Sequence, residues 1–236
     1  MKIASFDIGI KNLAFCIYDN ESKKILEWGV INLAEKFINE LPKCITVKKG
    51  QKCCKIATNY ILTDNKSKLC YCDKKFCQKT LIENYPNKKI KKIKKFKTKS
   101  IPLIELGKLI FENLSKNKNF LDCSKVLIEN QPVLKNPTMK SIQMIVYSFF
   151  IFNNIHDLVL FNPNRKLDIY CGPNIECKLK NDYSKRKYLS IKYTEYFLRE
   201  SNQEEKISDI FKNSSKKDDL SDCYLQCLTY LKKNNL

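Results

Sequence analysis

The sequence predicts a mixed α/β domain that is interrupted by a cysteine-rich insertion. β-rich runs open the chain, segments of helical and strand character alternate from about residue 100, and the stretch between them loses its apolar periodicity. A chain of 236 residues suits one domain of ordinary size that carries a small insertion. The predicted layout is therefore a first part at 1–41, an insertion at 42–99 and the remainder of the same domain at 100–236.

The opening runs predict an antiparallel β-meander. Residues 2–8 and 13–19 are β-rich and are joined by a short turn around Gly9 and Asn12. Residues 25–33, ILEWGVINL, add a third β-rich run.

After the insertion, apolar spacing predicts helices in alternation with short apolar strands. The predicted helices lie at 101–116, 141–152, 184–200 and 218–233. The predicted strands lie at 124–130 and 157–163.

Charge and cysteine content restrict the class of protein. Lys and Arg number 44 against 25 Asp and Glu, which gives a net charge of +19 and indicates a polyanionic partner. The alternative is a lysine-rich composition that follows an AT-rich genome. The sequence shows neither a secretion signal nor a long apolar run, so we expect a soluble protein without a membrane segment. Its 12 cysteines then indicate a reducing compartment.

The insertion contains two unusual features. Six cysteines gather there, at positions 44, 53, 54, 70, 72 and 77. The segment KKIKKIKKFKTK at 88–99 then has eight lysines in twelve residues. A solvated linker and a nucleic-acid contact both explain this lysine segment.

Dispersed carboxylates are the candidates for chemistry. Asp7 lies in an apolar run, where a lone carboxylate costs several kcal/mol unless a cation compensates it. Glu129 closes the apolar strand KVLIEN, and Asp218, Asp219 and Asp222 open the last helix. Helix capping is the alternative explanation for that last group.

Convergence of these acids on one sheet edge would require divalent metal. Hard oxygen ligands suit Mg²⁺ or Mn²⁺, and two such ions ~4 Å apart catalyse phosphodiester hydrolysis. A zinc hydrolase is disfavoured because His156 is the only histidine.

Three segments of the chain carry a family resemblance: FDIGIKNLAFCIYD, VLIENQP with NPTMKSIQ, and KKDDLSDCYLQ. Through them the chain resembles the Holliday junction resolvases of poxviruses and other large DNA viruses, which are related to RuvC-type and fungal mitochondrial resolvases. The segments occur in the family's order and span the chain outside the insertion. The resemblance implies an RNase H-like fold with a mixed five-stranded sheet flanked by helices. It also implies a homodimer that cuts branched DNA at four-way junctions with two Mg²⁺ or Mn²⁺ ions per active site.

The resemblance also implies the site residues. Asp7 corresponds to the first-strand acid, Glu129 to the acid of the IENQ motif, and Asp219 with Asp222 to the helix pair. The neighbouring Asp218 leaves the assignment within the pair open.

A basic residue upstream of the last helix is implied as well. In YSKRKYLSIKY the match is Lys187, with Lys185 as the alternative.

The insertion offers thiolates for a structural Zn²⁺. The predicted ligands are Cys53 or Cys54 together with Cys70, Cys72 and Cys77, and a metal-free module is the alternative.

Two further functions compete with junction cleavage. One is another RNase H-like nuclease that acts on branched DNA or RNA–DNA hybrids, and the other is a non-catalytic basic binding protein. For the dimer, the predicted interface is the apolar helix 141–152, where charges at Tyr147 and Phe150 should split it; a fully buried core helix is the alternative. The N-terminus lacks the character of a mitochondrial presequence, so the expected location is a host cytoplasm or a virion.

Overall fold

A computed structural model of the chain describes residues 1–134 and 136–236. The described residues form two compact units. One combines Met1–Leu33 with Ile101–Leu236, and the other is Ala34–Ser100. None of the helices in the described part of the chain has the length and apolar character that crossing a membrane requires.

The strands of the described residues, in chain order, are β1 Lys2–Asp7, β2 Asn12–Asp19, β3 Lys24–Asn32, β4 Val47–Lys48, β5 Gln51–Lys52, β6 Asn59–Leu62, β7 Lys68–Tyr71, β8 Lys91–Lys92, β9 Lys125–Glu129 and β10 Leu158–Phe161.

The α-helices of the described residues are α1 Glu35–Asn39, α2 Lys75–Asn84, α3 Leu103–Lys116, α4 Pro137–Phe152, α5 Asp182–Glu200, α6 Glu205–Asn213 and α7 Lys217–Lys233. Short 3₁₀ helices lie at Thr98–Ser100, Lys118–Phe120 and Pro163–Ile169.

The first unit is built on a mixed five-stranded sheet. Its strand order is β10-β9-β1-β2-β3. β1, β2 and β3 form the predicted antiparallel meander, whereas β9 and β10 run parallel to β1. Helices flank the sheet, so the predicted fold class is confirmed.

Alternation along the strands supplies both faces of this sheet with core residues. On one face, Phe6 of β1 lies 5.5 Å from Phe150 of α4 and 5.4 Å from Phe120, between ring centroids. The neighbouring Ser5 faces the other way, and its hydroxyl donates to the Cys223 carbonyl of α7 at 2.7 Å. The last helix is thereby fixed to the first strand.

Helix α4 is partly buried and partly exposed, which corrects one detail of the sequence prediction. Phe150 has no exposed surface, so it belongs to the core and not to an interface. The exposed apolar residues of this helix are Met144, Ile151 and Phe152. Sequence periodicity did not separate the two faces because both carry apolar side chains.

The second unit consists of two small sheets, the helices α1 and α2, and the 3₁₀ helix Thr98–Ser100. β4 and β5 form a hairpin, and β6 pairs with both β7 and β8. Part of the lysine segment is therefore strand: Lys91 and Lys92 pair with Tyr60 and Asn59.

Candidate active site

Three of the predicted carboxylates meet at one edge of the five-stranded sheet. Asp7 ends β1 and Glu129 ends β9, and these strands are parallel neighbours with Phe6 opposite Ile128. Both carboxylates therefore lie at the same edge of the sheet. Asp222, from the second turn of α7, is the third.

The three carboxylates surround the ammonium group of Lys166. Its Nζ lies 2.9 Å from Asp7 Oδ1, 3.1 Å from Glu129 Oε1 and 3.2 Å from Asp222 Oδ2. Only 5% of the Lys166 side chain is exposed. We call these four residues the acidic cluster.

Lys166 was not singled out in the sequence. It lies on the 3₁₀ helix Pro163–Ile169, which follows β10 directly, and its backbone carbonyl accepts a hydrogen bond from Thr229 Oγ1 of α7 at 3.1 Å. The available signal was a lysine just after a strand that neighbours β9. In a chain with 44 Lys and Arg, that signal does not distinguish one lysine from the others.

Burial and charge set the protonation of the acidic cluster. Burial raises the pKa of Asp7 well above its ordinary value, and the negative charges of Glu129 and Asp222 add to this while Lys166 opposes it. Burial also acts to raise the pKa of Glu129, but Lys166 outweighs it and the pKa is lowered. For Lys166, the nearby carboxylates outweigh burial and raise its pKa. Lys166 is therefore charged, and Asp7 holds a proton more readily than Glu129.

Hydrogen bonds hold the residues of the IENQ motif in place. Gln131 Nε2 donates to Glu129 Oε2 at 2.6 Å, and the backbone N–H of Gln131 donates to Gln143 Oε1 of α4 at 2.8 Å. Gln143 is completely buried, and it also accepts from Lys140 Nζ at 3.2 Å. Residues of NPTMKSIQ thus hold those of IENQ in place, which explains why the two segments belong together.

Hydrogen bonds also fix the position of α7 on the sheet. Gln226 Nε2 donates to Ser5 Oγ at 3.1 Å and to the Phe6 carbonyl at 3.3 Å. Trp28 Nε1 of β3 donates to the Leu220 carbonyl at 3.0 Å. These contacts lie on either side of Asp222 in the helix, so the carboxylate is held against β1.

The other two acids of α7 have different partners. Asp219 Oδ2 accepts from Asn12 Nδ2 at 3.2 Å and lies 3.9 Å from Lys216 Nζ, and burial raises its pKa. Asp218 forms an ion pair with Lys187. The structure therefore places Asp219 at the start of β2, on the same helix face as Asp222 at spacing i, i+3.

Lys187, the predicted basic residue, contacts Asp218 and not the three carboxylates of the acidic cluster. Its side chain is 40% exposed, and its Nζ lies 5.0 Å from the Tyr183 ring centroid. Lys185 lies on the first turn of the same helix, α5. The catalytic role of Lys187 stays a prediction.

The acidic cluster suits a hard divalent cation. Carboxylate oxygens are the ligands that Mg²⁺ and Mn²⁺ prefer. Three carboxylates share one ammonium, so negative charge is in excess within the acidic cluster, and a further cation would lower their mutual repulsion. The donor set thus fits the predicted metal.

The cysteines of the second unit form a separate cluster. The sulfur atoms of Cys44, Cys53, Cys72 and Cys77 all lie within 4.8 Å of one another. The sequence prediction was wrong in two respects: Cys70 and Cys54 lie outside this group, and Cys44 belongs to it. Cys70 lies within β7, whereas Cys72 follows the last residue of this strand, and Cys54 is exposed. We call the four residues the cysteine cluster.

The strand order, the two parallel strands beside the meander and the acids at the ends of β1 and β9 define an RNase H-like fold. No protein-family model matches the chain. It is similar to an uncharacterized protein of Acanthamoeba polyphaga mimivirus, with 29% identity over an alignment 316 positions long that covers 98% of this chain and 74% of that protein.

The solved structures to which this chain is similar include Holliday junction resolvases. The fowlpox virus resolvase in complex with Holliday junction DNA has a TM-score of 0.49 at 18% identity, covering 99% of each chain. The yeast mitochondrial Holliday junction resolvase Ydc2 has a TM-score of 0.47 at 15% identity, covering 99% of this chain and 83% of that one. Thermus thermophilus RuvC has a TM-score of 0.47 at 11% identity, covering 99% and 97%. These likenesses do not define the activity of this chain.

Proposed function

We propose that this chain is a divalent-metal-dependent endonuclease that resolves four-way DNA junctions by paired cuts. One observation carries the proposal: carboxylates from β1, β9 and α7 converge at one sheet edge around a single buried lysine. The order of the three resolvase-like segments supports junctions as the substrate. The net charge of +19 favours a nucleic-acid partner.

Asp7, Glu129 and Asp222 would hold Mg²⁺ or Mn²⁺ in this proposal, with Asp219 as a further ligand from the same helix face. Two such ions activate a water molecule and stabilise the leaving oxygen of a phosphodiester. Gln131 and Gln143 orient Glu129 through the hydrogen bonds described above.

Lys166 has a distinct role within the same site. Its ammonium keeps buried carboxylates close together while their charges repel, because it contacts all three at 2.9–3.2 Å. We assign it to the positioning of these carboxylates.

Two opposed cuts require two active sites, and a homodimer with two-fold symmetry supplies both. Helices α3 and α4 contact each other, and we assign their exposed apolar residues to this interface. They are Met144, Ile151, Phe152, Leu103, Ile104 and Phe111. We expect this enzyme to act in a reducing compartment, a host cytoplasm or a virion.

A cleavage assay tests the proposal. Labelled four-way junction, RNA–DNA hybrid and linear duplex are incubated with the protein and Mg²⁺ at equal salt. We expect paired cuts in the junction and little cutting of the linear duplex. Preferential cutting of the hybrid would favour the other RNase H-like nuclease. DNA binding without cutting of any substrate would favour the non-catalytic binding protein.

A further inference from the structure

The cysteine cluster has the geometry of a tetrahedral thiolate site. Cys44, Cys72 and Cys77 are each at most 2% exposed, and Cys53 is half-buried. The sulfurs of Cys53 and Cys72 lie 3.7 Å apart, too far for a disulfide. Four sulfurs at about 2.3 Å from a central Zn²⁺ lie about 3.8 Å from one another. The observed spacing is therefore that of ligands around one ion.

Backbone hydrogen bonds hold two of these cysteines in place. The N–H of Cys44 donates to the Lys55 carbonyl at 2.7 Å, and the N–H of Cys53 donates to the Thr46 carbonyl at 2.8 Å. These bonds fix both ends of the β4–β5 hairpin and so bring Cys44 and Cys53 to the same place.

The four cysteines come from separate pieces of the second unit. Cys44 precedes the β4–β5 hairpin and Cys53 follows it, whereas Cys72 follows β7 and Cys77 lies on α2. A bound ion would join the hairpin to the three-stranded sheet and its helix. Three of the six buried residues in this unit's core are members of the cysteine cluster. Units below roughly 70 residues with so small an apolar core usually need such a staple.

This unit also carries most of the charge of the protein. Residues 34–100 contain 19 lysines and 5 acidic residues, a net charge of +14 out of +19 for the whole chain. So strong a charge, concentrated in one small unit, indicates a polyanion as its partner.

The lysine segment is tied to the cysteine cluster by hydrogen bonds. β8 pairs with β6, and Ile93 N–H donates to the Thr58 carbonyl at 2.8 Å. β6 in turn pairs with β7, which leads directly to Cys72. The exposed Lys91 and Lys92 therefore depend on the same small sheet for their position.

Further lysines lie beside the cysteine cluster. Lys48, Lys52 and Lys74 line a groove together with Cys53 and Cys77. Four thiolates with one Zn²⁺ carry a formal charge of about −2, which these lysines offset.

We propose that Cys44, Cys53, Cys72 and Cys77 bind a structural Zn²⁺, and that the ion holds the second unit in the shape in which its lysines contact DNA phosphates. The second half of this inference rests on the proposed function, since it takes DNA as the polyanion. The zinc site itself rests on the cysteine cluster alone.

Zinc content tests the first half. Elemental analysis of the full chain, purified without added metal, should give about one zinc per chain. Cys72→Ser and Cys77→Ser should lose that zinc, whereas Cys70→Ser and Cys54→Ser, neighbours outside the cysteine cluster, should keep it. A wild-type protein without zinc that also fails to bind added Zn²⁺ would overturn the site, as would equal zinc loss in all four variants.

DNA affinity at several salt concentrations tests the second half, with labelled four-way junction as the probe and no Mg²⁺ present. The slope of log affinity against log salt should become shallower by about 1 for each lysine–phosphate contact that is lost. We expect a shallower slope for Lys91, Lys92, Lys94 and Lys95 changed together to Ser, and for wild-type protein stripped of zinc by phenanthroline. Added Zn²⁺ should restore the stripped protein.

Using stripped wild-type protein keeps the test decisive even where a cysteine variant fails to fold. An unchanged slope after zinc removal would refute the link between zinc and DNA binding. Zinc content and salt-dependent binding in a protein that cuts no junction would refute the proposed function and leave this inference standing.

Discussion

Replacement of Lys166 by Met should destabilise the protein strongly in the absence of divalent metal. The ammonium is the cation that three buried carboxylates share, at 2.9–3.2 Å, and the side chain is only 5% exposed. Removing one partner from a buried ion pair costs about 3–5 kcal/mol, because the remaining charge stays buried without compensation. For a chain of 236 residues, each kcal/mol lowers Tm by about 2–4 °C. The expected loss is therefore about 6–20 °C.

Lys187→Met is the matched control. It also removes one ammonium and leaves the same side chain, but Lys187 is 40% exposed and pairs only with Asp218. A pair of this kind contributes about 0–1 kcal/mol. Thermal unfolding of both variants in EDTA, followed by circular dichroism, should separate them clearly.

The same thermal unfolding, repeated with Mg²⁺ in place of EDTA, tests metal binding by the acidic cluster. An ion that binds the folded acidic cluster stabilises it by mass action, so Mg²⁺ should recover part of the Tm that Lys166→Met loses. Equal and small losses in the two variants would refute the role given to Lys166. A large loss that Mg²⁺ leaves unchanged would refute metal binding by the three carboxylates.

Two further predictions concern the turn beside the acidic cluster and the dimer. Gly9→Ala should destabilise the protein by about 1–3 kcal/mol in chemical denaturation, because the added Cβ would lie 2.5 Å from the Asn12 carbonyl oxygen. Gly107→Ala is the control and should not destabilise the protein, since its Cβ would lie an ordinary 3.6 Å from Ile145. Equal losses of stability in the two variants would contradict the steric argument. Sedimentation at micromolar concentration should give a species of twice 27.8 kDa. Phe152→Asp should split this dimer because the Phe152 side chain is 79% exposed, whereas Leu26→Asp, on β3, should leave it intact. A wild-type monomer that still makes paired cuts would refute the dimer.

The strands and long helices were predictable because their apolar patterns are local. The predicted strand 124–130 corresponds to β9 at Lys125–Glu129, and the predicted helix 218–233 to α7 at Lys217–Lys233. Helix α6, Glu205–Asn213, was not predicted, since it is short and follows another helix closely.

The candidate site was predictable only in part. Asp7 stood out because a lone carboxylate within an apolar run is costly, and Glu129 stood out because it closes an apolar strand. Lys166 did not, because its contacts depend on the parallel pairing of β9 with β10, which places the following 3₁₀ helix beside Asp7. Cys44 was missed for a similar reason. It precedes Cys53 by nine residues, and only the β4–β5 hairpin brings the two sulfurs together.

The decisive experiment on the acidic cluster compares cleavage of a labelled four-way junction by wild-type protein and by Asp7→Asn, each with Mg²⁺ and each with EDTA. We expect paired cuts by the wild type with Mg²⁺ only, and no cuts by Asp7→Asn. Junction binding by Asp7→Asn should persist, because lysines and not carboxylates hold the phosphates. Cutting by Asp7→Asn at near the wild-type rate, or wild-type cutting that EDTA leaves unchanged, would contradict the claim that Asp7 and its neighbours form a metal-dependent nuclease site.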